Sequence, residues 1–536
     1  MSKFEFIPEL VVGRDYDPSP GQKFMDNFDA IFEAIQNSGD NSLNNAEKVK
    51  IKISYKSVYK EDLKFIDKNF EKHLKASRKI GDKFILEQEK VDLILIEDFN
   101  TTGITGDPLR NKKQTEDGKE NNFYFMNQSF GGNQKLDNAR KGGSEGEGIQ
   151  AFNLNSQIST FFYYSIDSTN NNRPSFFGLS YLGSRDVDSS DFTPYAFFGQ
   201  KIKNEAFKED TFDAYPITDE KNINELTKIF KLKRKPNEPG TSIIISHYKK
   251  NGLEDKDLLI SRIIDIYRVP IFRDQLEIEI DDIVINKSTI RELNKNGLHS
   301  KSKKKFNEEQ KDLIDEYYNF LNQTEEAKNS EADFVINHTG QLKIDKEMFE
   351  NFETIINKFN DREFFSIKIN FNINRLNKNA KTVRDRTKEL RTYAKFYFKK
   401  FPVQFEVIEP LNDFIRKKMS IHKVRYPIQG FSLMDFQDDN AALLLKNAEV
   451  ANHSNIMAKN PKLDNNYKSY YNTILFLKSF PNNFYYLLTN EENINDYDIT
   501  QDLFKTEEDG SAIRKTDDLN EDKKYDDEEE EAQGDL

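Results

Sequence analysis

The sequence predicts a mixed α/β protein, an α+β sandwich with two folded domains followed by a disordered acidic tail. Helical and strand-like apolar patterns alternate along the chain, whose 536 residues exceed the length of one ordinary domain. The hydrophobic fraction is only 36%, but 44 Phe and 23 Tyr supply enough apolar area for sizeable cores. The last 30 residues, in contrast, carry many acidic side chains and no apolar periodicity.

The first predicted helix spans residues 24–38. Its apolar side chains fall on one stripe at helical spacing, and Glu33, Asn37 and Asp40 project from the opposite side. The stripe consists of Phe24, Phe28, Ile31, Phe32 and Ile35. One face of the helix is therefore expected to pack in a core, while the other presents two carboxylates and a carboxamide to solvent or to a ligand.

Two strand patterns follow this helix. Residues 48–57 alternate between apolar and polar, and the run VDLILIE at 91–97 is almost continuously apolar. Such a run is typical of a strand that is buried on both faces, and this one ends at Asp98. A second helix is expected between the two strands, at 61–80.

The segment 99–148 is polar and rich in glycine, and a connection of this length is typical of a functional lid. After it, the apolar patterns predict four strands and a helix. The strands fall at 157–166, 175–182, 195–202 and 241–247, and the helix at 256–268. The first domain is expected to cover residues 1–250.

A second α/β domain is expected over residues 251–505. Residues 275–286 predict a β-hairpin, and residues 295–329 predict a surface-exposed helix. Residues 364–373 alternate as in a strand, and a basic helix is expected at about 381–400.

The net charge of −13 is distributed unevenly. Within the predicted tail, 506–536, residues 507–536 hold 14 acidic and 4 basic side chains, a balance of −10. Residues 368–425 hold 16 basic and 5 acidic side chains, a balance of +11. The predicted basic helix contributes Arg384, Arg386, Lys388, Arg391, Lys395, Lys399 and Lys400. Such a cluster is typical of nucleic-acid phosphate contacts, but a solvated face or a docking site for the acidic tail fits the pattern equally well.

The composition excludes several classes of protein. The chain has no cysteine, which excludes disulfides and thiolate chemistry. No apolar run approaches the ~18 residues of a membrane helix, and the amino terminus lacks the basic and apolar segments of a secretory signal. A cytoplasmic protein without a membrane partner is expected.

Four short motifs lie in the first domain. They are EAIQNSGD at 33–40, DFNTTGITG at 98–106, GGSEGEG at 142–148 and PGTSIII at 239–245. Singly, they could be a solvated helix face, a turn, a flexible linker and a strand start. Together, and in this order, they resemble the nucleotide-binding motifs of the GHKL superfamily, which includes gyrase B, heat-shock chaperones, histidine kinases and MutL. The resemblance covers about residues 20–250 and implies the Bergerat ATP-binding fold with a lid at 99–148. More loosely, it extends into a transducer-like domain such as follows in gyrase B and MutL.

The resemblance implies roles for five residues. Asn37 would bind Mg²⁺, for which a neutral amide oxygen is a suitable ligand, and Asp40 would hold the surrounding water and metal network. Glu33, one helical turn from Asn37, would be the general base for the water that attacks the γ-phosphate. Asp98 would accept a hydrogen bond from the adenine amino group, and Thr241 would support the same edge of the base.

The remaining implied contacts are to the phosphates. They would be made by Gly103, Gly142, Gly143, Ser144, Gly146 and Gly148, since glycines let backbone N–H groups approach phosphate oxygens. Three positions depart from the family pattern. Asn100 stands near the usual first glycine, Glu147 adds a negative charge, and Ile149 stands where a phosphate-binding lysine is common. These departures leave nucleotide binding expected but argue against fast hydrolysis.

The resemblance also implies that one basic side chain of the second domain senses the γ-phosphate. Lys446, which follows the apolar run 441–445, is the first candidate, and Arg384 is the second. The alternative for Lys446 is a surface lysine on an amphipathic helix.

ATP and Mg²⁺ are therefore the expected ligands, and the expected activity is an ATPase in which ATP binding closes the lid or drives homodimerisation. Other protein subunits are the alternative partners. The chain is similar to bacterial ATP-binding proteins of this fold, some of which belong to antiviral or restriction-associated gene sets. Two further interpretations stay open: a weakly hydrolysing scaffold that senses nucleotide, and an ATP-gated clamp that contacts nucleic acid through residues 368–425.

Overall fold

The structure is a computed structural model that shows a mixed α/β protein, as the sequence predicts. It describes residues 3–8, 28–43, 48–78, 80, 89–110, 112–127, 150–203, 212–250, 255–298, 303–377, 387–404, 406–410, 416–418, 429–436, 438–448, 456, 458, 459 and 461–489. The helices are α1 (Asp29–Asp40), α2 (Lys68–Ala76), α3 (Asn122–Asn127), α4 (Gln150–Leu154), α5 (Glu220–Ile229), α6 (Lys256–Phe272), α7 (Ile290–Asn296), α8 (Glu308–Ala327), α9 (Phe352–Asn360), α10 (Asp439–Ala448), α11 (Pro461–Asn466) and α12 (Tyr471–Thr489).

The first large sheet has ten strands, mostly antiparallel. They are β1 (Phe4–Pro8), β2 (Val49–Tyr59), β3 (Lys90–Phe99), β4 (Thr160–Asp167), β5 (Arg173–Tyr181), β6 (Arg185–Val187), β7 (Ser190–Phe198), β10 (Gly240–Ser246), β11 (Leu276–Ile280) and β12 (Ile283–Ile285). Their order is β1-β7-β5-β4-β10-β3-β2-β11-β12, with β6 paired to β7. The pairing of β11 with β2 is parallel. Strands β8 (Gln200–Lys203) and β9 (Phe212–Tyr215) form a separate pair.

Helices cover both faces of the first sheet. On β3, Ile94 and Ile96 pack in the same core as α1, α4 and α6. Leu93 and Leu95 point the other way, into a core shared with α2 and α5. The prediction of a strand buried on both faces is confirmed, and β3 therefore brings Asp98 to the edge of a layer covered by α1.

Helix α1 follows the predicted apolar stripe over the residues that the structure describes. Phe28, Ile31 and Ile35 are buried against the sheet, and Phe32 is partly buried there. The predicted helix at 61–80 is shorter than expected, because a 3₁₀ turn (Lys60–Asp62) precedes α2 and the Asp67 side chain caps α2 by accepting from the backbone N–H groups of Asn69 and Phe70.

The first sheet continues past residue 250, the predicted end of the first domain. The hairpin expected at 275–286 is present as β11 and β12, and β11 lies beside β2 at the sheet edge. Helix α6 packs on the same face as α1. These three elements therefore belong to the layers of the first sheet.

The second large sheet has seven strands. They are β13 (Phe334–Asn337), β14 (Phe365–Leu376), β15 (Thr387–Gln404), β16 (Glu406–Pro410), β17 (Arg416–Lys418), β18 (Gln429–Asp435) and β19 (Tyr467–Lys468). Their order is β13-β14-β15-β18-β16-β17, with β19 paired to β14. Helices α9 to α12 contribute to the core on one face, where Phe396 and Phe398 of β15 contact Phe480 of α12.

The predicted basic helix at about 381–400 is wrong, because its described part is strand β15. Successive side chains of this strand point to opposite faces, and both faces are buried: Phe396 and Phe398 enter one core while Tyr397 enters the other. Lys395 is buried and donates hydrogen bonds to the carbonyl oxygens of Ala327 (2.6 Å) and Ser330 (2.8 Å). This lysine is therefore engaged in the fold rather than presented to a phosphate backbone.

Helix α8 connects the two sheets. Its Tyr318 ring lies 5.9 Å from that of Phe272 at the end of α6, and its Phe320 ring lies 5.7 Å from that of Phe431 in β18. The helix predicted at 295–329 is thus present in part, but its predicted surface exposure is wrong, because this apolar side packs against α6 on the first sheet and against β18 of the second sheet.

A buried ion-pair network lies at the same junction. Arg273, which follows α6, is hydrogen-bonded to Glu325 of α8 and lies 3.0 Å from the Asp435 carboxylate of β18. Burial disfavours the charge of Arg273, but the two carboxylates outweigh this effect and raise its pKa.

Among the described helices, none is long and apolar enough to cross a membrane.

Candidate functional site

The polar residues of α1 face the interior rather than open solvent. Asp40 is buried, and Glu33 and Asn37 are half-buried. The Asn37 Nδ2 group donates a 3.0 Å hydrogen bond to Glu33 Oε1. The Asn37 amide oxygen accepts no hydrogen bond from the part of the chain that the structure describes. The pair thus orients one carboxylate and one carboxamide oxygen together.

The carboxylate of Asp98 is the point where α1, β3 and β10 meet. Its Oδ1 atom accepts hydrogen bonds from the Thr241 backbone N–H (2.6 Å) and the Thr101 hydroxyl (2.7 Å). Its Oδ2 atom lies 2.9 Å from the Ser38 hydroxyl, which also donates to the Ala34 carbonyl oxygen at 2.7 Å. The side chain is 13% exposed.

This arrangement leaves capacity on Asp98 for a ligand. A carboxylate offers about four acceptor positions. Two donors occupy Oδ1, and Oδ2 shares a single hydroxyl proton with a carbonyl oxygen. The Oδ2 atom can therefore accept a further hydrogen bond from an amino group that enters beside α1.

Thr241 extends this polar row across the sheet. It pairs with Ser165 of β4, and the two hydroxyl oxygens lie 3.2 Å apart. Ser165 also accepts from the backbone N–H of Ile104 at 2.8 Å. The face of the sheet beside α1 therefore carries a carboxylate and two hydroxyls in sequence.

The turn after β3 accommodates an asparagine at position 100. Asn100 adopts a positive φ of 62°, a conformation that favours glycine but that asparagine tolerates, and its side chain donates to the Lys48 carbonyl oxygen at 2.9 Å. Gly103 also has a positive φ, of 73°, and a Cβ atom there would clash with the Ile166 carbonyl oxygen. Close packing against β4 thus requires glycine at position 103.

The phosphate-contacting set Gly142, Gly143, Ser144, Gly146 and Gly148 lies outside the described residues, as do Glu147, Ile149 and Arg384. The described chain resumes at Gln150 with α4, which packs on α1. The phosphate-binding role of the glycine motif stays a prediction.

Lys446 is on α10, where it is 2% exposed. The alternative of a surface lysine is therefore wrong. Helix α10 packs mainly on β15 and α11, in the core that α9 to α12 form on one face of the second large sheet. The role of Lys446 as a phosphate sensor stays a prediction.

Three polar residues at this site were not predicted from the sequence. Ser38 follows Asn37 directly and could have been found by reading the helix motif to its next residue. Ser165 lies in an aromatic strand, and Arg234 lies in a polar loop between α5 and β10, so neither has a sequence pattern that marks it. The Arg234 side chain is 0% exposed and reaches Asp98 from the opposite side of the sheet.

Among the described residues, no group of three or more His, Asp or Glu side chains is arranged to hold a metal ion. Comparison of the chain with protein-family models and with curated proteins finds no match.

Proposed function

We propose that the chain binds ATP with Mg²⁺ beside α1 and is an ATPase of the GHKL type, in which nucleotide binding acts as a conformational switch. The observation that carries the proposal is the Asp98 carboxylate, which is held at once by the Ser38 hydroxyl of α1 and the Thr241 N–H of β10. The order of the sequence motifs supports the same site.

The free acceptor capacity of Asp98 suits adenine. The amino group of adenine is a donor, whereas guanine presents a carbonyl oxygen at that position and would face the carboxylate with a second acceptor. Mismatch of this kind leaves buried polar groups unpaired and gives strong discrimination. Thr241 supplies a hydroxyl next to this position.

The pair Glu33 and Asn37 suits the metal and the attacking water. Mg²⁺ commonly binds through one or two protein oxygens together with waters and substrate phosphates, and Asn37 Oδ1 offers such an oxygen. Bound Mg²⁺ would neutralise phosphate charge. Glu33 is oriented by its hydrogen bond from Asn37 and would take the proton of a water near the γ-phosphate. Asp40 lies one turn further along the same helix.

The connection from this site to the rest of the chain supports a switch. The end of α1 is tied to the turn after β3, since Leu43 N–H donates to the Asn100 carbonyl oxygen and Thr102 N–H donates to that of Asn41. This turn begins the segment predicted to be the lid. ATP would shift the chain towards a closed or dimeric state only if it binds that state more tightly. A role in an antiviral multi-protein system rests on the resemblance alone.

Titration calorimetry with ATP and GTP, each with Mg²⁺ and with a chelator, tests the proposal. Wild-type protein should bind ATP more tightly than GTP and should need Mg²⁺ for full affinity. Asp98→Asn should lose on the order of 1–3 kcal/mol of ATP binding. The matched control is Asp188→Asn, at an aspartate that is 70% exposed. Equal affinity of the wild type for ATP and GTP, or unchanged ATP affinity in Asp98→Asn, would contradict the proposal.

A further inference from the structure

Arg234 lies behind the proposed nucleotide site, on the opposite face of the first sheet. On the site face, Asp98 and Thr241 point towards α1. On the opposite face, the neighbouring residues Glu97 and Ser242 pair across β3 and β10, and Arg234 lies over them. Its guanidinium is centred 4.6 Å from the ring of Phe99.

All five N–H donors of Arg234 are used. The acceptors are the Ser242 hydroxyl (3.0 Å) and the carbonyl oxygens of Glu238 (3.2 Å), Pro239 (3.1 Å), Thr241 (2.9 Å) and Asp98. A guanidinium has five donors in a fixed planar arrangement, so the side chain cannot satisfy this set in another position. Arg234 therefore fixes the end of β3 relative to the start of β10.

One nitrogen of Arg234 is hydrogen-bonded to both β3 and β10, the strands that carry Asp98 and Thr241. Nη2 donates to the backbone carbonyl oxygens of Asp98 and Thr241. The Thr241 N–H in turn donates to the Asp98 carboxylate at 2.6 Å. Because the carboxylate and its backbone donor are fixed from behind by the same group, the direction of the Asp98 side chain follows from the position of Arg234.

Gly240 makes this close approach feasible. Its φ is +135°, and a Cβ atom at this position would lie 2.5 Å from Arg234 Nη1 and 2.5 Å from Asp98 Oδ1. A side chain here would separate the arginine from the aspartate.

The surrounding charges make the buried guanidinium tolerable. The Ser242 hydroxyl donates to Glu97 at 3.0 Å, and the Asp98 carboxylate lies 3.8 Å from Nη2. Burial lowers the pKa of Arg234, and the carboxylates of Asp98 and Glu97 oppose that shift. Removing the guanidinium from water carries a desolvation penalty, which the satisfied donors and the nearby carboxylates offset. This penalty indicates that the position of the guanidinium matters.

We infer that Arg234 is a positioning residue for adenine recognition: it holds Asp98 and Thr241 in the geometry that accepts the amino group of the base. This inference rests on the proposed function. Arg234 does not contact the nucleotide, and its substitution should therefore affect the contribution of the base amino group more than it affects the rest of nucleotide binding.

The experiment compares ATP with purine riboside triphosphate, which lacks only the amino group of adenine. The ratio of their dissociation constants measures the contact to Asp98. In the wild type the ratio should be about tenfold or more. In Arg234→Met it should fall at least threefold, and in Arg234→Lys it should be intermediate. The control Lys235→Met, at a neighbouring exposed lysine, should keep the wild-type ratio. Circular dichroism and thermal melts establish that each variant is folded.

A second variant covers the case in which Arg234→Met does not fold. Ser242→Ala removes the acceptor of Arg234 Nε but keeps the guanidinium and changes no charge. It should lower the ratio of the dissociation constants by a smaller factor than Arg234→Met does. The role of Arg234 would be overturned if folded Arg234→Met or Ser242→Ala kept the ratio of dissociation constants of the wild type, or if the variant lost affinity for both nucleotides equally. A wild-type protein that binds neither nucleotide would instead refute the proposed function itself.

Discussion

The hydroxyl of Ser38 lies 2.9 Å from the carboxylate of Asp98, and this polar contact joins helix α1 to the end of strand β3. The same hydroxyl donates to the Ala34 carbonyl oxygen one turn earlier in the helix. A single proton is thus shared between the helix backbone and the residue proposed to read adenine. This contact links the position of α1, which carries Glu33 and Asn37, to the base end of the site.

Removing this hydroxyl should weaken ATP binding without unfolding the chain. We expect Ser38→Ala to lose about 0.5–1.5 kcal/mol of ATP affinity, because Asp98 loses its contact to α1. Titration calorimetry measures the change. The matched control is Ser261→Ala, where a helical serine makes the same type of bond to the carbonyl oxygen of Asp257 at 2.8 Å. Equal ATP affinity in the wild type and in Ser38→Ala would show that α1 does not help to place the carboxylate.

Substitution of Glu33 and Asn37 should separate turnover from metal-dependent binding. Glu33→Ala should keep ATP binding and reduce the hydrolysis rate by about 10²–10⁴-fold, the usual contribution of a general base. Asn37→Ala should lose the part of the affinity that depends on Mg²⁺. Phosphate release and calorimetry measure these effects, with the exposed helical residue Glu225→Ala as control. Tight ATP binding by a wild type without measurable turnover would favour the scaffold interpretation instead.

The ion-pair network of Arg273, at the junction of the layers of the two large sheets, should matter more for stability than a surface pair. Arg273→Met leaves the buried carboxylate of Asp435 and the partly exposed carboxylate of Glu325 without this cation, and we expect a loss of about 3–5 kcal/mol in the free energy of unfolding. Lys72→Met breaks a pair whose side chains are 54% and 70% exposed and should lose at most about 1 kcal/mol. Urea denaturation compares them. The double variant Arg273→Met/Asp435→Asn should lose less than the sum of the two single variants, and strict additivity would contradict coupling.

The free energy of unfolding should fall between pH 6.5 and 4 through His338, which follows β13 of the second large sheet. This side chain is stacked on Phe476, neither ring nitrogen has a hydrogen-bond partner among the described residues, and burial lowers its pKa from 6.5 to about 4. In this window the unfolded chain binds a proton that the folded chain does not, so the free energy of unfolding decreases as pH falls. His338→Phe should show a smaller decrease in melting temperature from pH 7 to pH 4.5. An identical decrease in both proteins would exclude His338 as a contributor.

The sequence predicts a helix or strand correctly where its apolar residues follow one clear pattern. The stripe of α1 and the apolar run of β3 each match the structure, because burial on one or both faces determines which residues can stand there. The lysines and arginines of β15 predict one charged helix face, and this prediction is wrong. The continuous aromatic run Phe396, Tyr397 and Phe398 is instead typical of a strand that is buried on both faces. Burial of Lys395 depends on the carbonyl oxygens of Ala327, the last residue of α8, and Ser330, which are more than 60 positions away.

The same limit applies to the proposed site. Glu33, Asn37, Asp98 and Thr241 lie in motifs whose order can be read from the sequence. Arg234 has no such motif, because its acceptors come from several segments and the Asp98 carbonyl oxygen is 136 positions away. Networks of this kind are fixed by tertiary packing, and no local spacing predicts them.

The parallel pairing of β2 with β11 has a consequence for synthesis on the ribosome. Lys52 and Glu279, which are hydrogen-bonded across these strands, are 227 positions apart. At about 5–20 residues per second, translation takes roughly 11–45 s to cover that distance. During this time β2 has no neighbour on its outer edge, and an unpaired strand edge invites pairing with other chains. A nascent chain that stalls before residue 280 should therefore be prone to aggregation or be held by a chaperone, whatever nucleotide is present.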